Sequence, residues 1–319
     1  MRLIRSDDVD RLASVELGLA AARETAALVA RGNFTTGRVQ VEDPHAWTRM
    51  LVGILPELDL LGYKQFHRIG QQVRYRVSLF RHSDGSPLGI VDGRRITSLR
   101  TSSTAALSVA HVFGDEPIRL AVLGSGEEAR EGVRAVHGAA NVASAVVYSP
   151  TAANRESLAA ELHEQYGLEP RTAATPAEAL DGANAAYVAT ASRAPFVAAA
   201  DVSHLRLLAA VGATRPDHHE LNGDVLGAAL QVVVDCSDAL HEPGDVIDAL
   251  SDGFDAESAE LLGDWLGGAP SPATGAPIVF KSIGSVEQDL VLAQHLLSAA
   301  EAEDAGEEIE DVASVRIMR

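Results

Sequence analysis

The chain has 319 residues, 46% of them hydrophobic, and a formal net charge of −19. That length buries more than one core and predicts two domains, while the negative charge opposes binding to nucleic acid or anionic lipid, both of which need a positive patch. Cys236 is the single cysteine, which excludes an internal disulfide and a cysteine-rich metal site and leaves a small buried apolar residue as the expectation there.

No run of eighteen apolar residues appears, so no membrane span is expected. The start "MRLIRSDDVDRL" lacks the apolar core of a signal peptide and predicts a cytoplasmic protein. Basic residues are almost all arginine; Lys64 and Lys281 are the only lysines. The expected partners are small molecules.

From Asp8 to Ala30 an alanine- and leucine-rich segment predicts one helix, with Leu12, Val15, Leu19 and Ala22 on one face and Gly32 past its end. Between Arg38 and Thr97 short alternating runs ("VRYRVSLF", "PLGIVDG", "RRIT") separated by "SDGS" and "DG" predict antiparallel hairpins. Ser102 to Phe113 reads as a helix ended by "GDEP". After Pro117 the chain alternates apolar strands ("IRLAVLG", "SAVVYS", "NAAYVATA", "LRLLAAVG", "LQVVVDC") with alanine-rich helices, which implies crossovers and a parallel sheet covered on both faces. Thr175, Pro176 and Glu178 give a helix start with cap, proline and capping-box acid. Ser285 and Gln288 open a last helix with Val286, Leu290, Ala293 and Leu297 in one stripe, and the tail "EAEDAGEEIED" reads as a solvated charge run.

The stretch "LAVLGSGEEAREGVRAV" carries Gly124, Gly126 and Ala129 in a G-x-G-x-x-A pattern between a strand and an amphipathic helix, with a second strand at βαβ spacing. Such a turn holds a dinucleotide pyrophosphate at the helix N-terminus, the two glycines allowing close backbone approach and Ala129 close helix packing. At the end of the second strand an acid would bond the ribose of NAD; here Ser149 takes its place, and Thr151 and Arg155 suit a 2′-phosphate. NADP(H) is therefore the favoured cofactor, with NAD(H) as the alternative. Ser125, Glu127, Thr190 and Thr101 complete the expected cofactor contacts.

Lys64, in "LDLLGYKQF", is a lysine inside an apolar segment of a chain that has almost abandoned lysine, which points to a task beyond solubility; a snorkelling surface lysine is the plain alternative. Arg100 and Thr101 in "SLRTSS" are expected at a helix start suited to a carboxylate. Adjacent His218 and His219 with Glu220 suggest a metal, but neighbouring histidines on a helix point apart and no second ligand cluster appears. No metal site is expected, and the three read as helix-start residues.

Together "GYK", "VDGRRITSLRTSSTAA", "AVLGSGEEAR", "AVGATRPDHHEL" and "FKSIGSVEQDL", in this order, resemble the ornithine cyclodeaminase/mu-crystallin family from about Arg38 to Leu290. The resemblance implies an α/β fold: a Rossmann-type doubly wound parallel sheet domain (114–285) inserted in a discontinuous α+β substrate and dimerisation domain (1–113 plus 286–319). It also implies a homodimer, NAD(P) as cofactor and a small imino- or amino-acid substrate. Carried over by position, Arg38 and Arg100 look like the substrate-carboxylate arginines and Lys64 like the active-site lysine. Thr214 and Gly284 fall near nicotinamide or substrate. Cyclodeaminases carry an aspartate at the position of Thr214, and a threonine supplies neither its charge nor its basicity. The implied activity is thus NAD(P)H-dependent reduction or oxidation of a C–N bond, with ornithine cyclodeamination, or non-catalytic binding of a cofactor or small molecule, as alternatives.

Overall fold

The computed structural model describes residues 1–268, 276–311 and 313. They group into two compact units, Met1–Arg100 with the segment from Val286 onward, and Thr101–Ser285; the boundary at Arg100 lies inside the helix Arg94–Phe113.

The first unit is built on a seven-stranded sheet. Its strands are β1 (Arg2–Ile4), β2 (Thr35–Glu42), β3 (Ala46–Leu55), β4 (Leu60–Ile69), β5 (Gln72–Arg81) and β6 (Pro87–Asp92). The order is Glu307–Glu308, β1, β6, β5, β4, β3, β2, antiparallel throughout except for the parallel pair β1–β6. The hairpins expected between Arg38 and Thr97 are present, except that "RRIT" opens the helix Arg94–Phe113 because the Asp92 carboxylate accepts the Arg94 N–H at 3.1 Å and caps the first turn. The single helix expected from Asp8 to Ala30 is two, Ser6–Leu12 and Val15–Arg31. Between them Ser14 is extended and its hydroxyl accepts the Leu17 N–H at 3.1 Å, starting a new helix.

The closing helix Val286–Ala302 carries the expected stripe, with Val286, Leu290, Ala293 and Leu297 all buried. It lies close on the sheet because the strands carry glycine under it. A Cβ on Gly53 or Gly62 would come within 3.0 Å of Leu290, and one on Gly89 within 2.6 Å of Leu297. Each buried leucine contributes about 1.5–3 kcal/mol of apolar burial. The acidic tail is more than a solvated run: Glu307–Glu308 pairs with β1, and Arg5 and Arg11 form ion pairs with Glu307 and Glu303.

The second unit holds β7 (Ile118–Leu123), β8 (Val142–Tyr148), β9 (Arg171–Ala173), β10 (Ala185–Val188), β11 (Arg193–Val197), β12 (Leu207–Ala210), β13 (His219–Leu221), β14 (Gln231–Val234), β15 (Glu260–Leu261) and β16 (Ile278–Lys281). Eight of these form a wholly parallel sheet in the order β9-β8-β7-β10-β12-β16-β14-β15, and β11 pairs with β13 apart from it. Strands β10, β12 and β16 are buried at every residue, as a sheet covered on both faces requires. The chain order reverses between β7 and β10, the point where an open parallel sheet leaves a crevice. The helix at Pro176–Leu180 is capped as its sequence implies: Thr175 accepts from the Glu178 N–H and Glu178 from the Ala174 N–H. Among the described residues no helix is long and apolar enough to cross a membrane.

The glycine contacts give a direct test. Gly62→Ala places a Cβ 2.4 Å from the Ser78 carbonyl and should lower the unfolding free energy by about 1–3 kcal/mol in urea titration. Gly37→Ala, whose nearest neighbour is Val52 at 3.5 Å, should stay within about 0.5 kcal/mol of the parent.

Candidate active site

The residues singled out by sequence fall into two sets, each inside one unit. In the first unit Lys64 lies on β4 and is only 3% exposed, which removes the snorkelling alternative. Its ammonium donates to Thr97 Oγ1 and to Asp289 Oδ1, both at 2.8 Å, and stands 5.7 Å from the ring centres of Phe66 and Tyr75. Asp289 is 1% exposed, and sequence reasoning does not single it out. It sits on the closing helix, three residues past Val286, where attention to the apolar stripe passes over it. Arg100 approaches the same carboxylate, Nε to Oδ1 at 3.8 Å, and donates from Nη1 to Gln288 Oε1 at 3.3 Å. Arg100 is in the second turn of its helix, not at the helix start expected for it.

Arg38 is on the exposed edge strand β2. Strand register places Arg38 opposite Leu51, and Leu51 opposite Lys64. Directly opposed residues share a sheet face, so Arg38 and Lys64 stand in one row two strands apart, roughly 10 Å between backbones. Lys64 and Arg100 meet at Asp289, and Arg38 shares the sheet face of Lys64, a grouping of cations suited to a carboxylate ligand.

In the second unit the cofactor set lies in loops at the carboxyl ends of parallel strands and in the first turns of the helices that follow them, with Thr101 apart on its own helix. Gly124 follows β7 at φ 129°, a conformation open to glycine, and a Cβ there would meet the Ala189 carbonyl at 2.2 Å. Gly126 precedes the helix Glu127–Ala139, and a Cβ on it would meet nothing within 4 Å. Open space over a helix N-terminus fits a pyrophosphate. Ala129 is buried, while Glu127 is exposed at the first helical position, so its backbone N–H rather than its carboxylate suits an anion. Ser149 directly follows β8, its hydroxyl accepting from Ser125 Oγ at 2.9 Å, and Arg155 Nη1 donates to the Ser149 carbonyl at 3.0 Å. Thr151 is exposed and precedes the helix Ala152–Tyr166; Thr101 is buried in the helix Arg94–Phe113. Gly284 donates its N–H to Asp235 Oδ2 at 2.8 Å. Thr214 is half-buried in the loop after β12.

The reading of His218, His219 and Glu220 as helix-start residues is corrected. His219–Leu221 is strand β13, and Glu220 is fully buried. Burial pushes its carboxyl above the ordinary range, Asp245 adding to this and Lys281 and Thr190 opposing it. Among the described residues no cluster of histidine, cysteine, aspartate or glutamate is arranged to hold a metal ion.

The model of the ornithine cyclodeaminase/mu-crystallin family matches residues 64–304. The chain belongs to this family. A Delta(1)-pyrroline-2-carboxylate reductase of Bacillus cereus is 27% identical over 265 residues, 82% of this chain and 79% of that protein. Ketimine reductase mu-crystallin of Rattus norvegicus is 30% identical over 218 residues, 68% of this chain and 67% of that protein. Among solved structures, Thermococcus litoralis Delta(1)-pyrroline-2-carboxylate reductase in complex with NADH and L-proline matches with a TM-score of 0.87 at 22% identity, over 97% of this chain and 100% of that one, a likeness of fold.

The buried pair yields a thermodynamic cycle. Asp289→Asn removes the counter-charge beside Lys64 and should cost about 3–5 kcal/mol in chemical denaturation, whereas Lys64→Met with Asp289→Leu should cost clearly less than the two single changes added.

Proposed function

We propose that this chain is an NAD(P)H-dependent oxidoreductase acting on the C–N bond of an imino or amino acid, of the ketimine-reductase or amino-acid-dehydrogenase kind. The observation that carries the proposal is Lys64: an ammonium 3% exposed, fixed by Asp289 and Thr97 and accompanied by Arg100 and Arg38. Two relatives of this family are named for imine reduction, and the same chemistry fits this constellation.

Arg38 and Arg100 hold the substrate carboxylate, and Lys64 polarises the imine or relays its proton. Asp289 and Thr97 fix the ammonium in place, so that it meets the substrate without reorganising. Gly124, Ser125, Gly126, the Glu127 N–H and Ala129 would hold the pyrophosphate, Ser149, Thr151 and Arg155 the adenosine ribose, and Thr190 and Thr101 the remainder, with Thr214 and Gly284 near the nicotinamide or substrate. When bound, the cofactor supplies hydride exchange with the substrate carbon. Thr214 offers no carboxylate, which disfavours cyclodeamination.

NADP(H) is the preferred cofactor in this reading, because Ser149 takes the place of the acid directly after β8, no carboxylate comes before Glu156, and Arg155 meets Ser149 there. The chain acts as a homodimer: one face of the sheet leaves Val39, Val41, Val52 and Ile54 between 41% and 64% exposed, a surface that a second copy would cover. A cytoplasmic location accords with a single cysteine that forms no disulfide.

Purified protein with NADPH should reduce cyclic ketimines or α-keto acids supplied with amines. Proline and ammonia formed from ornithine, with catalytic NAD and no net NADH, would overturn this in favour of cyclodeamination; absence of turnover across the panel with cofactor bound would favour a binder. Lys64→Met should lower turnover about a hundredfold or more with NADPH affinity retained. Calorimetry should give tighter NADPH than NADH binding, and Ser149→Asp should reverse the order by repelling the 2′-phosphate. Sedimentation should give a dimer, and Val39→Glu with Val52→Glu a monomer.

A further inference from the structure

Glu220 lies on β13, apart from the eight-stranded sheet, yet its carboxylate ends between two loops of that sheet. Oε1 accepts the Thr190 N–H at 2.6 Å and the Thr190 hydroxyl at 2.8 Å, from the loop after β10. Oε2 accepts the Gly212 N–H at 2.9 Å and the Ala213 N–H at 3.0 Å, from the loop after β12. The loops press together so closely that a Cβ on Gly212 would lie 2.3 Å from Oε1 and 2.4 Å from the Thr190 nitrogen. Glu220 is itself anchored, since its N–H and that of Leu221 donate to Asp245 Oδ1 at 2.7 and 3.0 Å. The other oxygen of Asp245 pairs with Lys281 at 2.8 Å, and Lys281 donates to the Ala213 carbonyl, also at 2.8 Å. Ala213 is thereby gripped on both sides, its N–H by Glu220 and its carbonyl by Lys281.

We infer that Glu220 is the positioning residue of the nicotinamide end of the dinucleotide site: one buried carboxylate sets the spacing of the loops that carry Thr190 and Thr214. This rests on the cofactor reading given above. Loops at the carboxyl ends of parallel strands are free to move unless tied, and charge-assisted bonds in a dry interior are the strong kind of tie. The adenosine end is held by other means, through the glycine turn and the Ser125–Ser149 bond, none of which involves Glu220. Thr190 commits both its N–H and its hydroxyl proton to Glu220 and so meets a ligand only as an acceptor.

The test compares whole cofactor with half. Glu220→Gln keeps the shape but turns one acceptor into a donor facing N–H groups, so the loops part. NADPH affinity should fall about tenfold or more. Adenosine 2′,5′-bisphosphate, which has no nicotinamide, should bind the variant as it binds the parent; NADH and ADP-ribose serve instead if the parent prefers the unphosphorylated cofactor. Equal weakening of both ligands, the mark of general loosening, overturns the inference, as does no weakening of either. A parent that binds neither ligand overturns the cofactor reading and this inference with it, a pattern distinct from the other two. Should the variant not fold, amide exchange in the parent decides: the Thr190, Gly212 and Ala213 N–H groups should exchange as slowly as strand amides, and fast exchange overturns the inference.

Discussion

The ion pair between Lys64 and Asp289 joins residues 225 apart in sequence, and the first unit depends on it. A sheet whose strands, Glu307–Glu308 apart, all come from the first hundred residues buries an ammonium whose counter-charge arrives only with the closing helix. Burying a lone ammonium is prohibitive, so that part of the sheet cannot reach its native packing before the chain has run through the second unit and returned. The glycines at 53, 62 and 89 serve the same return, since they let Leu290 and Leu297 lie close to the strands. An inserted unit is compatible with this arrangement provided its ends lie near each other.

Much of this architecture is legible in the sequence because it rests on local rules. The glycine turn, the apolar strands on either side of it, the capped helix at Pro176 and the stripe of the closing helix each declare themselves within a dozen residues. Where expectation and structure part, a nearby polar group decides the matter: the Ser14 hydroxyl breaks a helix that apolar spacing alone would continue, and the Asp92 carboxylate turns "RRIT" from strand to helix. Strand β16 escapes a reading of the sequence, because its apolar run, Ile278 to Phe280, is only three residues long before Lys281 and does not stand out.

The site is half legible. Lys64 can be found from rarity, a single charge in an apolar run. Asp289 and Glu220 cannot, because what marks them is burial, and their partners come from distant segments: Lys64 for one, and the backbone of residues 190, 212 and 213 for the other. Nothing local separates Asp289 in "VEQDL" or Glu220 in "HHEL" from the other acids of a chain that has 45 acidic residues. The two buried acids illustrate one device. Each carboxylate is kept inside by donors that converge from separate parts of its unit, and each fixes the group it faces.

Both lysines of the chain are interior, at 3% and 0% exposure, each bound to an aspartate. The folded molecule therefore presents no side-chain amine to solvent. Lysine-directed enzymes and bulky acylating reagents find no ε-amino group at the outer surface, where the cationic side chains are arginine or histidine. Reaction of Lys281 is consequently a reporter of unfolding, since its ε-amino group becomes reachable only when the parallel sheet opens, whereas Lys64 answers only to a molecule small enough to enter the proposed substrate site.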